Sequence, residues 1–208
     1  MDLHDFRRNY SLGKLARKDL NADPFEQFQL WLQQIVATDF SDPTAMIVAS
    51  VDAKGQPNQR YVLLKHVDNN GFVFFTDMES QKGQEIALNS KVSLLFPWHQ
   101  FERQVRIKGH AEKMPVEAVE EYFYSRPKQS QQAAICSQQS QTIESRSALE
   151  QQFQEVGELS EYSLPKRWGG YVVKVDNFEF WQGGEHRLHD RFRYEKQGKD
   201  WLITRLQP

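Results

Sequence analysis

Apolar and polar residues alternate with two different periods along this chain, and the first period is that of an α-helix. Between residues 25 and 36 the apolar side chains recur at the spacing of one face of an α-helix. These residues are Phe25, Phe28, Leu32, Ile35 and Val36. Asp23 is a good N-cap and Pro24 suits the first helical position. The pattern therefore predicts a helix that begins at Pro24 and buries one stripe of its surface.

The second pattern is that of short strands rich in β-branched and apolar residues. It covers residues 44–51, 58–67 and 72–76, and the turn sequences DAKGQP and DNNG between them predict antiparallel hairpins. More strands are predicted at residues 91–98, 101–113, 168–175 and 178–182, with short segments up to residue 206. Helical stretches at residues 80–89, 115–125 and 142–156 interrupt this series.

Short antiparallel strands without regular β-α-β alternation favour a barrel or a sandwich over a Rossmann sheet. We therefore predict a mainly β fold with peripheral helices, of the α+β type, and the strand pattern alone leaves both a β-barrel and a β-sandwich open. Residues 1–20 are polar and locally basic, and we predict that they form a flexible arm. Residues 21–208 are predicted to form a single domain that includes the C-terminal segment 168–208.

Composition narrows the class of protein further. The chain has 208 residues with 26 basic and 28 acidic side chains, and the net charge of −2 argues against binding nucleic acid by bulk charge. The single cysteine, Cys136, excludes an intrachain disulfide. No apolar run is long enough for a membrane helix, and the N-terminus lacks the apolar core of a secretory signal. We expect a cytoplasmic protein with no membrane partner.

The common sequence signatures of nucleotide, lipase and metalloprotease sites are absent: GxGxxG, GxxxxGK[ST], GxSxG and HExxH. A metal-dependent hydrolase that uses His186 and His189 is one alternative. However, zinc sites normally supply three or four ligands, and no second cluster accompanies these two residues. We expect no metal.

The segment WQGGEHRLHDR, residues 181–191, holds the densest candidate chemistry. If it is extended after the two glycines, Arg187, His189 and Arg191 project to one face, with Leu188 and Asp190 on the other. Two guanidinium groups beside an imidazole favour a bound anion. The alternative is a solvated edge strand with scattered charges.

Two other segments carry cations at suggestive spacings. Arg60 and Lys65 lie five positions apart, so a regular strand points their side chains to opposite faces. Solvation of both strand ends explains this segment better when it is considered on its own.

Tyr122 and Arg126 share one helical face. Pro127 either ends that helix or starts the next, and in the second case Ser130 lies in a first turn that favours phosphate. An exposed helix corner explains this segment equally well. Together the segments hold more cations than one phosphate needs, which indicates two anionic ligands, or a ligand and a cofactor.

The chain resembles the pyridoxine/pyridoxamine 5′-phosphate oxidase family nearly end to end. The motifs that carry the resemblance are RRNY at residue 7, DPTAM at 42, QRYVLLK at 59, SLLFPW at 93, ERQV at 102, YFYSRPKQSQ at 122 and FWQGGEHRLHDR at 180. The last motif is highly specific, because related flavin-binding split barrels usually lack it. The resemblance implies a split β-barrel that binds FMN, and a homodimer with FMN at the subunit interface.

The resemblance also implies the site residues. It assigns FMN binding to Arg60, Tyr61, Val62, Leu63, Leu64, Lys65, Phe75, Thr76, Gln81, Lys82, Gln104, Gln139, Ser140, Trp181 and Arg191. It assigns substrate binding to Arg7, Arg8, Asn9, Tyr10, Lys65, Tyr122, Arg126, Ser130, Arg187, Leu188 and His189, with Arg187 and His189 as the catalytic pair. The chain departs from many relatives at two of these positions, with Gln81 in place of Arg and Phe75 in place of Tyr.

The implied reaction oxidises pyridoxamine 5′-phosphate or pyridoxine 5′-phosphate to pyridoxal 5′-phosphate. No side chain accepts a hydride, so a redox cofactor must do so. The hypothesis is hydride transfer from substrate C4′ to N5 of FMN, with O2 then reduced to H2O2 and ammonia released from the amine. The rival functions are a non-catalytic or reductase-type FMN-binding split barrel and a vitamer carrier without turnover.

Overall fold

The computed structural model describes residues 1–5 and 7–208, and strands dominate it. The helices are α1 (Pro24–Val36), α2 (Gln81–Leu88), α3 (Val116–Ser125), α4 (Lys128–Cys136) and α5 (Arg146–Val156). The strands are β1 (Ala45–Val51), β2 (Pro57–Leu63), β3 (His66–Asp68), β4 (Gly71–Asp77), β5 (Lys91–Trp98), β6 (Arg103–Lys113), β7 (Trp168–Gln182), β8 (Asp190–Gln197) and β9 (Asp200–Leu206). None of these helices is long and apolar enough to cross a membrane, within the residues described.

Local sequence explains where several helices begin. The Asp23 carboxylate accepts the Phe25 N–H at 2.8 Å and Pro24 occupies the first helical position, as predicted. Ser80 caps α2 by accepting the Gly83 N–H at 3.3 Å. Arg126 is the C-cap of α3 and Pro127 is the N-cap of α4, so the two helices follow each other directly.

The strands form one sheet with the order β2-β1-β5-β6-β7-β4-β3, and β8 pairs with β7 and with β9. β4 and β7 are antiparallel with Phe75 opposite Gly170, and β7 and β8 are antiparallel with Trp181 opposite Arg191. The antiparallel pairing agrees with the prediction from the short strand segments.

Two compact units emerge from the fold. The first comprises Met1–Val48, Ser93–Gly109 and Val175–Pro208. Its core is aromatic: the Phe28 and Phe96 ring centroids lie 4.7 Å apart, and those of Trp31 and Phe180 lie 5.3 Å apart. Large rings of this kind bury much apolar surface each, so their packing stabilises this unit.

The second unit comprises Ala49–Val92 and His110–Lys174. Val119, Phe123, Tyr162 and Trp168 form a buried cluster there, and Phe75 and Tyr122 pack against it. The division into a flexible arm of residues 1–20 and one domain of residues 21–208 stays a prediction.

Three expectations about local structure are wrong. Residues 58–67 do not form one strand, because β2 ends at Leu63 and β3 begins at His66. Residues 168–182 form a single long strand rather than two. The segment before Asp190 is not extended: residues 185–187 form a short 3₁₀ turn, in which His186 and Arg187 have φ values of 56° and 64°. The alternation of faces expected for Arg187, His189 and Arg191 therefore does not hold.

Candidate functional site

A cavity of about 420 Å³ opens in the second unit. Eleven of the residues that line it are ones that the family resemblance assigns to FMN or substrate. They are Tyr61, Val62, Leu63, Lys65, Phe75, Thr76, Lys82, Tyr122, Arg126, Ser130 and Gln139. Pro127 and Trp168 complete the lining, which contains three cations and no carboxylate. A concave site of this size and charge suits a small anionic ligand.

Regular secondary structure positions most of these side chains. Residues 61–63 end β2, Phe75 and Thr76 lie on β4, and Lys82 is in the first turn of α2. The corner between α3 and α4 supplies Tyr122, Arg126 and Ser130. Ser130 lies in the first turn of α4, so the interpretation that favours phosphate has the required local structure.

Lys82 is the most constrained cation of the cavity. Its Nζ donates to Thr76 Oγ1 at 2.9 Å and to Gln139 Oε1 at 3.0 Å, both of them neutral acceptors. Burial lowers the pKa of Lys82, and the nearby charge of Arg60 lowers it further. An anionic ligand would supply the opposite charge that its two close acceptors do not.

Arg126 contributes a buried donor to the cavity lining. Its Nη1 is buried and has no hydrogen-bond partner among the described residues. Its guanidinium carbon lies 4.9 Å from the centre of the Trp168 ring, and burial lowers the pKa of the group. A buried, unpaired donor of this kind is costly unless a ligand satisfies it.

Aromatic rings form one wall of the cavity. Phe75 stacks on Tyr122 with centroids 3.9 Å apart and on Trp168 at 5.3 Å. Trp168 was not among the predicted site residues. Its position at the start of a strand was visible in the sequence, but its stacking on Phe75 depends on the β4–β7 register.

Four predicted FMN residues of the second unit do not line the cavity: Arg60, Leu64, Gln81 and Ser140. Arg60 pairs with the buried carboxylate of Glu85 at 3.2 Å. Gln81 donates from Nε2 to the same carboxylate at 2.8 Å, and its main-chain N–H donates to Ser140 Oγ at 3.2 Å. Leu64 is buried. Glu85 was missed by the sequence analysis, although its spacing of four from Gln81 on a helix was a usable signal.

A second cluster of predicted residues lies in the first unit. The Tyr10 ring makes edge-to-face contacts with Trp181 at 5.9 Å and with His189 at 5.3 Å. The Arg187 guanidinium lies 5.7 Å from the centre of the same ring. Arg187 and His189 thus meet at Tyr10 through a turn rather than through a shared strand face.

His189 has a defined tautomer in this arrangement. Its Nδ1 accepts the Gly184 N–H at 3.1 Å, so the neutral ring carries its proton on Nε2. Burial and the charge of Arg187 both lower the pKa of His189. The geometry therefore presents a neutral imidazole whose Nε2–H is a donor.

The remaining predicted residues of the first unit have different surroundings. Arg191 pairs with the buried carboxylate of Glu179 at 2.8 Å, and Arg106 pairs with the same group at 3.2 Å. Gln104 lies on β6. Arg7, Arg8, Asn9 and Leu188 are exposed.

Comparisons with known proteins agree with the residue pattern. A family described as pyridoxamine 5′-phosphate oxidase matches residues 32–160. A second, described as the pyridoxine 5′-phosphate oxidase C-terminal dimerisation region, matches residues 168–208. A pyridoxine/pyridoxamine 5′-phosphate oxidase of Shewanella sediminis is 57% identical over 99% of both chains. One from Vibrio cholerae is 54% identical over the full length of both. The chain belongs to the pyridoxine/pyridoxamine 5′-phosphate oxidase family.

Solved structures of this oxidase family and its relatives share the fold. PhzG from Burkholderia lata, in complex with tetrahydrophenazine-1-carboxylic acid, superposes with a TM-score of 0.86 at 28% identity, covering 93% of this chain and 98% of that chain. A pyridoxamine 5′-phosphate oxidase-related, FMN-binding protein of Nostoc punctiforme gives a TM-score of 0.73 at 11% identity, covering 91% and 100%. The second likeness shows the fold alone. The predicted fold class, the split β-barrel of FMN-binding oxidase relatives, is confirmed.

Proposed function

We propose that this protein is an FMN-dependent oxidase that converts pyridoxamine 5′-phosphate and pyridoxine 5′-phosphate to pyridoxal 5′-phosphate. One observation carries the proposal within the family: a cavity lined by three cations and no carboxylate, with a buried Arg126 donor that lacks a partner. Two phosphorylated molecules, a cofactor and a substrate, would account for this excess of positive charge.

The residues present fit FMN. Lys82 is desolvated and held by neutral acceptors, Thr76 and Gln139 lie within hydrogen-bond distance of it, and Ser140 is close to the start of α2. We propose that these residues bind the flavin. When bound, FMN supplies the two-electron acceptor that no side chain of this chain provides, and O2 is the final acceptor.

We assign the substrate phosphate to Lys65, Tyr122, Arg126 and Ser130. Arg126 presents a planar, partly buried guanidinium, and Ser130 lies in the first turn of α4, the positive end of the helix dipole, where an anion is favoured. Binding energy at the phosphate is remote from the carbon that is oxidised, so it can orient the substrate.

We assign the substrate ring to Arg187 and His189. His189 in its neutral form donates from Nε2, so it can hold a substrate oxygen or nitrogen in place without giving up its proton. Arg187 is exposed and lies over Tyr10, where a guanidinium can cover a flat ring.

We further propose a homodimer with FMN at the subunit interface. The match to a family dimerisation region at residues 168–208 supports the dimer. Tyr61 and Leu63 line the cavity from β2, yet they are 67% and 44% exposed. Exposed apolar side chains beside a ligand site are suited to burial against a second subunit.

Oxygen consumption tests the proposal directly. Adding pyridoxamine 5′-phosphate or pyridoxine 5′-phosphate to the FMN-loaded protein should consume O2, produce H2O2 and form pyridoxal 5′-phosphate, while FMN-free protein should do none of the three. A yellow protein that consumes no O2 with either substrate would overturn the proposal and favour a non-catalytic or reductase-type flavin protein.

A further inference from the structure

Glu102 is a buried carboxylate to which the family resemblance assigns no role. It follows the 3₁₀ turn of residues 99–101, has a φ of 52° and is only 4% exposed. A charged side chain is rarely buried in this way unless it is paired or hydrogen-bonded. Its partners therefore indicate what it does.

The carboxylate of Glu102 binds the N-terminal arm. Its Oε2 accepts the main-chain N–H of Leu12 at 3.0 Å, and its Oε1 lies 3.9 Å from Arg8 Nη2. Arg8 also donates from Nη2 to the His99 carbonyl at 3.0 Å. Glu102 thus contacts the arm on both sides of Tyr10.

The backbone of Glu102 binds the segment that leads to His189. Its carbonyl accepts the Gly183 N–H at 2.7 Å and Gln182 Nε2 at 3.2 Å. A Cβ on Gly183 would lie 2.7 Å from Tyr10 Cδ1 and 2.9 Å from Glu102 Cβ, so arm, turn and glycine are in close contact. One residue therefore links the arm to the base of the loop that carries Arg187 and His189.

Tyr10 is the side chain that this linkage positions. Held between the two contacts of Glu102, its ring packs against Trp181, His189 and the Arg187 guanidinium. Without Glu102, residues 8–12 of the arm would keep the Arg8 contact with the His99 carbonyl and the contacts of the Tyr10 ring. The next anchor along the arm is the buried Leu15, whose main-chain N–H donates to Asp190 Oδ2 at 2.9 Å. The main-chain N–H of Leu12 would lose its acceptor.

We propose that Glu102 is a positioning residue that holds residues 8–12 of the arm in place and so keeps Tyr10 against His189 and Arg187. This inference rests on the proposed function only for its effect on substrate, since the docking of the arm does not depend on the reaction. If the docked arm is the form that binds substrate, undocking lowers the apparent affinity in proportion to the docked fraction.

Two variants separate the charge of Glu102 from its length. Glu102→Asn keeps a residue type that tolerates left-handed backbone but shortens the side chain and removes its charge. It should raise KM for pyridoxamine 5′-phosphate about tenfold and leave kcat within about twofold, as expected if the docked fraction falls tenfold. Glu102→Gln keeps the length and an acceptor oxygen, so its KM should lie between those of Glu102→Asn and wild type. The exposed Glu26→Gln is the charge-matched control and should match wild type.

Limited trypsin digestion measures how accessible the arm is to the protease, independently of enzymatic activity. Cleavage after Arg8 and Lys14 should be several-fold faster in Glu102→Asn than in wild type or Glu26→Gln, with unchanged FMN content and melting temperature. If trypsin reports a released arm while no variant, wild type included, oxidises substrate, the proposed function fails and the role of Glu102 stands. Equal cleavage in all three proteins overturns the role of Glu102.

A double-mutant cycle with Tyr10→Ala tests whether Glu102 acts through Tyr10. The double variant should show no higher KM than the worse of the two single variants, because both remove the same contact. Additive effects on KM, or a loss confined to kcat, would contradict a positioning role through Tyr10.

Discussion

Arg126 offers the sharpest test of the cavity, because its buried Nη1 has no partner among the described residues. Arg126→Ala removes a guanidinium that lies 4.9 Å from the Trp168 ring centre. Arg126→Lys is the matched control, since it keeps the charge but loses the planar fork and the stacking.

The expected loss follows from the kind of bond that Arg126 can make. A hydrogen bond to a charged group contributes about 1.5–3 kcal/mol, and each 1.4 kcal/mol changes an equilibrium about tenfold. Arg126→Ala should therefore raise KM for pyridoxamine 5′-phosphate by about ten- to a hundredfold. Its effect on kcat should be smaller, and Arg126→Lys should recover part of the loss. Steady-state oxygen consumption at varied substrate measures both constants.

Melting of the unliganded protein provides an independent measurement. In the unliganded wild type, the unsatisfied buried donor destabilises the fold by about 1–3 kcal/mol, and Arg126→Ala removes this penalty. The same variant loses the cation–π contact with Trp168, which stabilises the fold by about 0.5–1 kcal/mol. Without ligand, the melting temperature of Arg126→Ala should therefore be no lower than that of wild type. Added inorganic phosphate should raise the melting temperature of wild type more than that of the variant. An unchanged KM, or equal stabilisation of both proteins by phosphate, would remove Arg126 from the phosphate site.

Three further predictions follow from the other site residues. Arg187→Ala or His189→Ala should cut turnover strongly but leave the purified protein yellow, and a colourless variant would contradict a role confined to the substrate. Lys82→Met should raise the Kd for FMN about tenfold or more by flavin-fluorescence titration, whereas Lys65→Met should mainly raise KM; equal flavin affinity in the two variants would refute this division. The pKa of His189 is lowered in the fold, so folded protein binds fewer protons than the unfolded chain, and stability should fall as pH drops below the ordinary value of 6.5. His189→Gln should weaken that acid dependence of the melting temperature, and identical pH profiles would argue against it.

Most of the fold could be predicted from the sequence because its signals are local. Asp23 and Pro24 mark the start of α1, and the strands that follow are rich in apolar and β-branched residues. The break between β2 and β3 could not be predicted, because it depends on pairing across the chain. Lys65 donates its N–H to the Val73 carbonyl at 2.8 Å, and β3 then pairs with β4.

Helix α4 shows a different limit. Its buried residues include Gln131 and Gln132, so the sequence lacks the apolar stripe that would predict this helix. Gln131 Nε2 donates to the Arg126 carbonyl at 2.8 Å, and Gln132 Nε2 donates to the Phe153 carbonyl at 2.7 Å. The side-chain nitrogens of both glutamines are thus paired although the residues are buried, and hydrophobic periodicity does not detect such pairing; Gln131 Oε1 has no partner among the described residues.

The candidate site was predictable as a set of cations but not as an electrostatic arrangement. Sequence spacing cannot tell which guanidinium or ammonium group has a carboxylate beside it, because the partners lie far apart in the chain. Arg60 with Glu85 and Arg191 with Glu179 form such pairs, each carboxylate being largely buried. The sequence analysis missed both of these ion pairs for this reason, although the spacing of four between Gln81 and Glu85 was a local signal for Glu85 itself.

This pairing decides which cations set the charge of the cavity. Arg60 forms an ion pair with the buried carboxylate of Glu85 and does not line the cavity, although its charge still lowers the pKa of Lys82. Lys65, Lys82 and Arg126 form no ion pair with any described residue, and all three line the cavity, which has no carboxylate in its lining. The near-neutral total charge therefore conceals a local excess of three positive charges, and it is this excess, rather than the composition, that indicates ligands with phosphate groups.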